Sequence, residues 1–383
     1  MKDIIITGLQ SWDIDIGSNC KDIAQEFSKK HRVLFVNRAY DRKTVLKEKL
    51  GQIKKSKRGQ LIKLSSSFWV YTPKMVFGSI NWLKSDSAYD FIADKNGKAW
   101  AKEIAGVVDH LEMKEPMLFI DNDFLRGGFY AKHYPYKNLI YYIRDNLLTQ
   151  SYFQRHGKRL EKRIMEMADF VFANSAYLAD YAKKYTQKSY YIGQGFDKDI
   201  FLDLPEKSDL LEHIQSPIIG YIGNITAERV DIALLEKVAS ENPKWNFVFV
   251  GPEDDRFKES SLHQLNNVFF KGKVPPEEVP MYIKACDVCI NPQVINEMTQ
   301  GNYPRKIDEY LAVGKPVVAI KTLAMAPFEE YVYLADSYQD FSKKIAQALI
   351  ENNEILENNR KLFANAHTWE NSVSKIYEQV EID

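Results

Sequence analysis

Cysteine is scarce in this chain, with 3 in 383 residues, so no disulfide framework is available. Two of the three, Cys286 and Cys289, form a C-x-x-C inside "KACDVCINP". That stretch reads as a helix end entering a buried strand. Redox pairs usually open a helix after a strand, and no second cysteine or histidine pair completes a zinc site. Both thiols are therefore read as small buried hydrophobes. Charge of one sign is lacking too. Lys+Arg 52 against Asp+Glu 52 leaves a formal net charge of +0, which gives no electrostatic case for nucleic acid as the main partner. No apolar run approaches the ~18 residues that span a bilayer. The opening "MKDIIITGLQSWD" has the pattern of neither a signal nor a transit peptide. These absences point to a cytoplasmic protein, with a place at the inner face of the membrane left open. A G-x-G-x-x-G is missing after the strands that would carry it, which argues against a nicotinamide-dependent oxidoreductase.

What is present is an alternation of apolar runs and helical stretches. At this length two domains are the default. "DIIITG", "RVLFVN", "PMLFID", "LIYYIR", "DFVFAN" and "SYYIGQG" form one strand set. "PIIGYIGN", "WNFVFVGP", "NVFFKG", "DVCINP" and "KPVVAI" form another. Continuous apolar strands separated by helices argue for parallel sheets covered on both faces. The expected architecture is α/β: two Rossmann-like domains, 1–195 and 217–366, joined by a polar linker at 196–216. In open sheets of this kind ligands bind beyond the carboxyl ends of the strands, which places the site in a cleft between facing domains. Residues 47–84 resist the scheme, with a basic run (Lys54, Lys55, Lys57, Arg58) followed by Phe68, Trp69, Phe77 and Trp82. They read as a solvated loop plus one strand, or as a contact with a membrane surface through 54–82.

The stretch "GNYPRKIDEYLAVGKPVVAI" (301–320) carries the chemistry. It reads as a helix with Asn302 as N-cap, Pro304 at the first helical position and Gly314 as the stop. Ile307, Tyr310 and Leu311 form its buried stripe. Arg305 and Lys306 then occupy the first turn, where the helix dipole already concentrates positive charge. A bound diphosphate reverses the sign of that cost. Glu309, an acceptor one turn later, suits vicinal hydroxyls such as those of a ribose; an Arg305–Glu309 ion pair is the mundane alternative.

"YPRKIDEYLAVGKPVVAI" resembles the nucleotide-sugar signature of glycosyltransferase family 4 and its GT-B relatives. "IGYIGNITAERVDIALL", "NVFFKGKVPPEEVPMYIKACDVCINP", "ADFVFANSAYLADY" and "YIGQGFDKDIF" resemble other stretches of that family, in order. "SWDIDIGSN" lies where the family carries its first glycine loop, and "HTWENSVSKIYEQV" is similar to a last helix (367–383) that crosses back onto the N-terminal domain. The resemblance implies a GT-B fold, an N-terminal acceptor domain and a C-terminal donor domain. It also implies a retaining, metal-independent transfer of a sugar from a nucleotide diphosphate to a glycan or lipid-linked acceptor in cell-surface polysaccharide synthesis. Uridine is the expected base, and no cofactor is implied.

By that resemblance Lys306 meets the diphosphate, Glu309 the ribose, and Arg229 stands where relatives place a phosphate-binding lysine. Gly223 and Asn224 form the loop after the second domain's first strand. The position of a donor-contacting glutamate is taken here by Gly301, so the sugar contact falls to the backbone of Gly301, Asn302 and Tyr303 beside Pro304, with Glu297 a weaker substitute. In the first domain Gly17 and Ser18 begin a helix after strand one and would let that loop approach the diphosphate, with Asp13 and Asp15 flanking them. Asp121, Arg144 and Asp145 lie at strand ends on the acceptor side. Asp145 either orients a hydroxyl or caps the next helix. The triplets "DID" (13–15) and "DND" (121–123) match a metal motif literally but lie far in sequence from the donor signature. A silent homologue that binds nucleotide sugar is the competing reading, with an epimerase or phosphorylase on the same fold after it.

Overall fold

A computed structural model describes residues 1–14, 18–51, 57–205 and 208–380. The chain divides into two compact units, Met1–Gly193 with Ser372–Asp383, and Gln194–Asn371.

In the first unit the strands are β1 (Asp3–Gly8), β2 (Arg32–Val36), β3 (Tyr40–Asp41), β4 (Leu61–Lys63) and β5 (Phe68–Tyr71). They continue with β6 (Val76–Phe77), β7 (Met117–Asp121), β8 (Leu139–Ile143), β9 (Phe170–Ala173) and β10 (Ser189–Tyr191). Eight of them form one sheet in the order β10-β9-β8-β7-β1-β2-β5-β4, parallel throughout except for the β4–β5 pair. Ile4, Ile5 and Ile6 are all fully buried, as a strand covered on both faces requires.

The region 47–84 departs from the sequence reading. Instead of one strand it supplies β4 and β5 to the main sheet, while β6 pairs with β3. Phe68 and Phe77 are buried, and Trp69 lies beneath the Arg32 and Lys63 side chains. Of the four aromatic residues proposed for a membrane surface only Trp82 is exposed, at 69%. The apolar side chains here are spent on the sheet. Lys57 and Arg58 are within ion-pair distance of Asp13 and Glu48; Lys54 and Lys55 lie outside the described residues.

The second unit carries β11 (Ile218–Ile222), β12 (Asn246–Val250), β13 (Val268–Gly272), β14 (Val288–Asn291), β15 (Val317–Ile320) and β16 (Tyr333–Ala335). All pair in parallel, in the order β13-β12-β11-β14-β15-β16. Phe196, Leu211 and Ile214, from the polar-looking stretch before β11, are buried in this unit's core. Cys286 and Cys289 are free and buried. The last helix, Trp369–Val380, begins in the second unit and ends in the first. There the Tyr377 ring lies 5.7 Å from Phe27 and 5.2 Å from His31. Among the described residues no helix is long and apolar enough to cross a membrane.

Candidate functional site

The site in the second unit is built around the end of β11. Tyr310 lies one turn after Lys306 on the helix Lys306–Ala312, and its hydroxyl accepts from the Ile222 N–H (2.8 Å) and donates to the Ile222 carbonyl (3.0 Å). This double bond locks the helix to the strand end. Residues four apart share a helix face, so Lys306 is carried over the neighbouring residues of β11. Its ammonium sits 3.9 Å from the Tyr221 ring centroid and donates to the Tyr221 hydroxyl, which in turn donates to the Asn224 carbonyl at 3.0 Å.

Gly223 makes this approach possible. At φ +145 it has a backbone that L side chains rarely adopt, and a Cβ there would stand 3.0 Å from the Lys306 Nζ. Arg229 lies on a turn before the helix Ile232–Glu241, not at that helix's start, where Asp231 is the cap. The turn is pinned by its backbone. The Val294 N–H donates to the Arg229 carbonyl (3.0 Å) and the Asp231 N–H to the Pro292 carbonyl (2.9 Å). The Arg229 side chain is exposed.

Burial, with Arg229 as the second cause, pushes the Lys306 ammonium down to about 7, against an opposing pull from Glu309. No carboxylate among the described residues lies within ion-pair distance of Lys306. Arg305 is occupied differently: its Nε is 3.3 Å from Glu309 Oε1. The mundane pair therefore exists, and it uses the arginine and leaves the lysine. Burial pushes the Glu309 carboxyl up, while Arg305 and Lys306 pull it back.

Two expectations for this segment need correction. The helix starts at Lys306, with Arg305 in the cap position and no side-chain cap bond, so Asn302 does not cap it and Pro304 lies before its first turn. The reason is local: the Arg305 N–H already donates to the Tyr303 carbonyl at 3.1 Å, and Gly301 closes a preceding short helix, Glu297–Gly301. With only 7 residues, the helix offers little dipole, so the case for an anion rests on the two cations. Gly314, at φ +83, does end the helix; its N–H donates to the Leu311 carbonyl (2.8 Å). Tyr303 turns inward: its hydroxyl lies 3.3 Å from His367 Nδ1, which is also 2.6 Å from the buried Asp308 Oδ1. Sequence reading missed this trio, because 59 residues separate the last two.

The strand ends of the first unit are arranged in another way. Gly8, paired with Asp121 in the sheet, leaves room for the buried Asp121 side chain, whose Cβ would otherwise meet an added one at 2.8 Å. Arg144 Nε donates to both Asp121 oxygens (3.0 and 3.2 Å), and its Nη1 donates to Asp145 Oδ2 (3.3 Å). The Asp145 carboxylate thus faces Arg144, and the short helix after it has no side-chain cap. Asp123 pairs with Arg126 at 2.8 Å, so the carboxylates of "DND" face different arginines. Among the described residues no group of three or more His, Cys, Asp or Glu is arranged to hold a metal ion. Asp13 is exposed and meets Lys57 (3.3 Å), apart from the Asp121 cluster's hydrogen bonds. Gly17 falls outside the described residues; Ser18 caps the helix Asn19–Ser28. His133 pairs with Asp94, and the buried His156 with Asp86 and the Leu83 carbonyl.

Known proteins resemble this chain in sequence and fold. The "Glycosyl transferases group 1" family matches residues 216–351, which lie in the second unit and hold the Lys306 site. HepE from Anabaena, solved with UDP, superposes with a TM-score of 0.67 at 18% identity over 99% of each chain. The chain has the GT-B fold. Sucrose-phosphate synthase from Thermosynechococcus elongatus shares the fold too, with a TM-score of 0.70 at 16% identity over 99% of each chain. Among curated proteins, TuaH of Bacillus subtilis, assigned provisionally by name to teichuronic acid biosynthesis as a glycosyltransferase, is 31% identical over 59% of this chain. The match spans 60% of TuaH's own length.

Proposed function

We propose that this GT-B chain is a retaining glycosyltransferase that binds a nucleotide diphosphate sugar in its second unit and passes the sugar to an acceptor hydroxyl. The observation that carries the reading is the pair of cations, Lys306 and Arg229, which repel each other beside a strand end where Gly223, lacking a side chain, admits the Lys306 ammonium. A diphosphate there would turn the repulsion into two attractions. Arg305 holds the Glu309 carboxylate one turn further along, where it can accept from ribose hydroxyls.

In the reaction the acceptor oxygen bonds to the anomeric carbon as the bond from that carbon to the phosphate oxygen breaks. The hydroxyl proton passes to the leaving phosphate, from the face that it vacates. Charge on the departing diphosphate is what preorganised cations stabilise, and this reading routes no step through a metal. UDP is favoured as carrier because structures of the related HepE hold UDP and UDP-glucose. A glycan or lipid-linked acceptor in cell-surface polysaccharide synthesis accords with the name of TuaH.

One observation favours a second reading. Gly301 is buried and supplies no side chain where the family resemblance implies a sugar-contacting glutamate, as expected of a donor-binding protein that no longer transfers. Incubation with UDP-glucose without acceptor separates the two. Slow release of UDP, lost in Lys306→Ala and Arg229→Ala, supports the transferase. Tight UDP-glucose binding with no turnover supports the silent form. Failure of UDP and UDP-glucose to bind at all contradicts both.

A further inference from the structure

The first unit holds a cavity of about 350 Å³ that none of the sequence motifs pointed to. It opens beside the carboxyl ends of its strands: Leu9 follows β1, Arg38 and Ala39 follow β2, and Gly78 and Ser79 follow β6. Its inner wall is aromatic and buried, formed by Tyr89, Tyr130 and Phe77. The Tyr89 hydroxyl is spent on the Leu125 carbonyl (3.0 Å), and Tyr130 stacks on Trp100 with ring centroids 4.3 Å apart. That wall is fixed by packing. A second, wider hollow of about 940 Å³ adjoins it and shares Asp41, Lys43, Asn81 and Tyr152. Trp82 and Tyr152 stand exposed at its edge, at 69% and 50%.

The charge around this aromatic wall is one-sided. Arg38, Arg42, Lys43 and Arg155 line the two hollows, and none has an ion-pair partner among the described residues. Arg155 is held in place by donating to the Asn81 and Trp82 carbonyls. The fifth cation, Arg126, is already neutralised by Asp123. Asp41 is the one carboxylate in either lining, and one of its oxygens accepts from the Thr44 N–H at 2.7 Å. Four cations without an ion-pair partner among the described residues stand against one carboxylate, Asp41, which interacts with Arg38. The positive excess that remains is one that an anion would relieve, on a wall suited to a sugar ring or an apolar chain.

We propose that this cavity binds the acceptor and selects one bearing an anionic group, a phosphate or a carboxylate, next to a flat or apolar portion. Its acceptor role rests on the transferase reading; the anion site itself does not. Arg38 and Lys43 take the charged group, and Tyr89, Tyr130 and Phe77 face the uncharged part.

Calorimetric titration of the full chain, without donor, with n-decyl phosphate, glucuronate and n-octyl glucoside tests this. At least one anionic probe should bind 10-fold or more tighter than the neutral glucoside, and raised salt should weaken it. Binding of the phosphate alone assigns the charged group as phosphate, and of glucuronate alone as carboxylate. Arg38→Ala with Lys43→Ala, both exposed positions, should cost at least 10-fold in that binding while leaving the melting temperature and UDP affinity unchanged. Equal binding of charged and neutral probes overturns the proposal, as does a double variant that binds the anion unchanged. If the anionic probe binds here while UDP does not bind at all, the anion site stands and the transferase reading falls.

Discussion

At the carboxyl end of the first unit's sheet, Arg144 is hydrogen-bonded to both Asp121 and Asp145. At the carboxyl end of the second unit's sheet, Lys306 and Arg229 have no carboxylate at ion-pair distance among the described residues, and Arg229 adds to the cost of charging the buried Lys306. Both clusters follow the rule that open α/β sheets concentrate polar groups beyond their strand ends. The difference lies in what is left over. The first cluster is satisfied within the protein, so its members hold the sheet edge together. The second is left positive, and the partner proposed for it is a ligand. A perturbed buried charge alone does not separate the two: burial shifts Asp121 up and Lys306 down, and Arg144 is held up by Asp121 and Asp145 against its own burial. The balance of signs does.

The contrast is broken most severely in the first unit. Arg144→Ala strands the fully buried Asp121 carboxylate, and breaking such a pair costs about 3–5 kcal/mol. Denaturant unfolding should show that loss, whereas Lys306→Ala should cost little stability or even gain some. A similar loss in both variants would erase the distinction. In binding the order reverses. Lys306→Ala should weaken UDP roughly 10- to 100-fold, a charge-assisted hydrogen bond being worth about 1.5–3 kcal/mol, while Asp145→Asn leaves UDP affinity unchanged in the same titration.

Gly223→Ala should reduce both quantities. It forces a side chain into a backbone held at φ +145 and pushes on the Lys306 ammonium, with a strain cost of about 1–3 kcal/mol. The pH dependence of UDP affinity follows from the sign of the Lys306 shift. The free protein loses this proton near pH 7, and a bound anion restores the charge, so the complex binds more protons above that pH. Affinity should therefore fall as pH rises above about 7, by up to roughly tenfold per pH unit. The same group acts on stability in the opposite sense. Between about 7 and the usual lysine value the unfolded chain holds more protons, so the unliganded fold gains stability as pH rises. The smallest effect belongs to Asp13→Asn, which loses an exposed contact with Lys57 and should change stability by less than about 1 kcal/mol in thermal melting.

Much of this was legible in the sequence because it is local. Apolar runs such as "DIIITG" and "WNFVFVGP" announce buried parallel strands wherever they fall, and the observed β1 and β12 lie inside them. Lys306 stood out in the sequence because a cation in a first helical turn is an anomaly visible within a few residues, and Glu309 because it follows one turn later. The helix start was misplaced by two residues, since proline and asparagine signals cannot report that the 305 N–H is already engaged at Tyr303. The aromatic residues at 68–77 could be read either way because burial within a sheet and exposure at an interface draw on the same side chains. The Asp308–His367–Tyr303 contacts and the cations of the first-unit cavity left no mark at all. They come from positions that only the tertiary fold assembles.

The most direct test is calorimetry of UDP binding at pH 8 in two buffers of different ionisation enthalpy, for the native chain and Lys306→Ala. The account predicts net proton uptake by the native chain, and weaker binding with no uptake by the variant. Equal affinities with no proton linkage in either would contradict it.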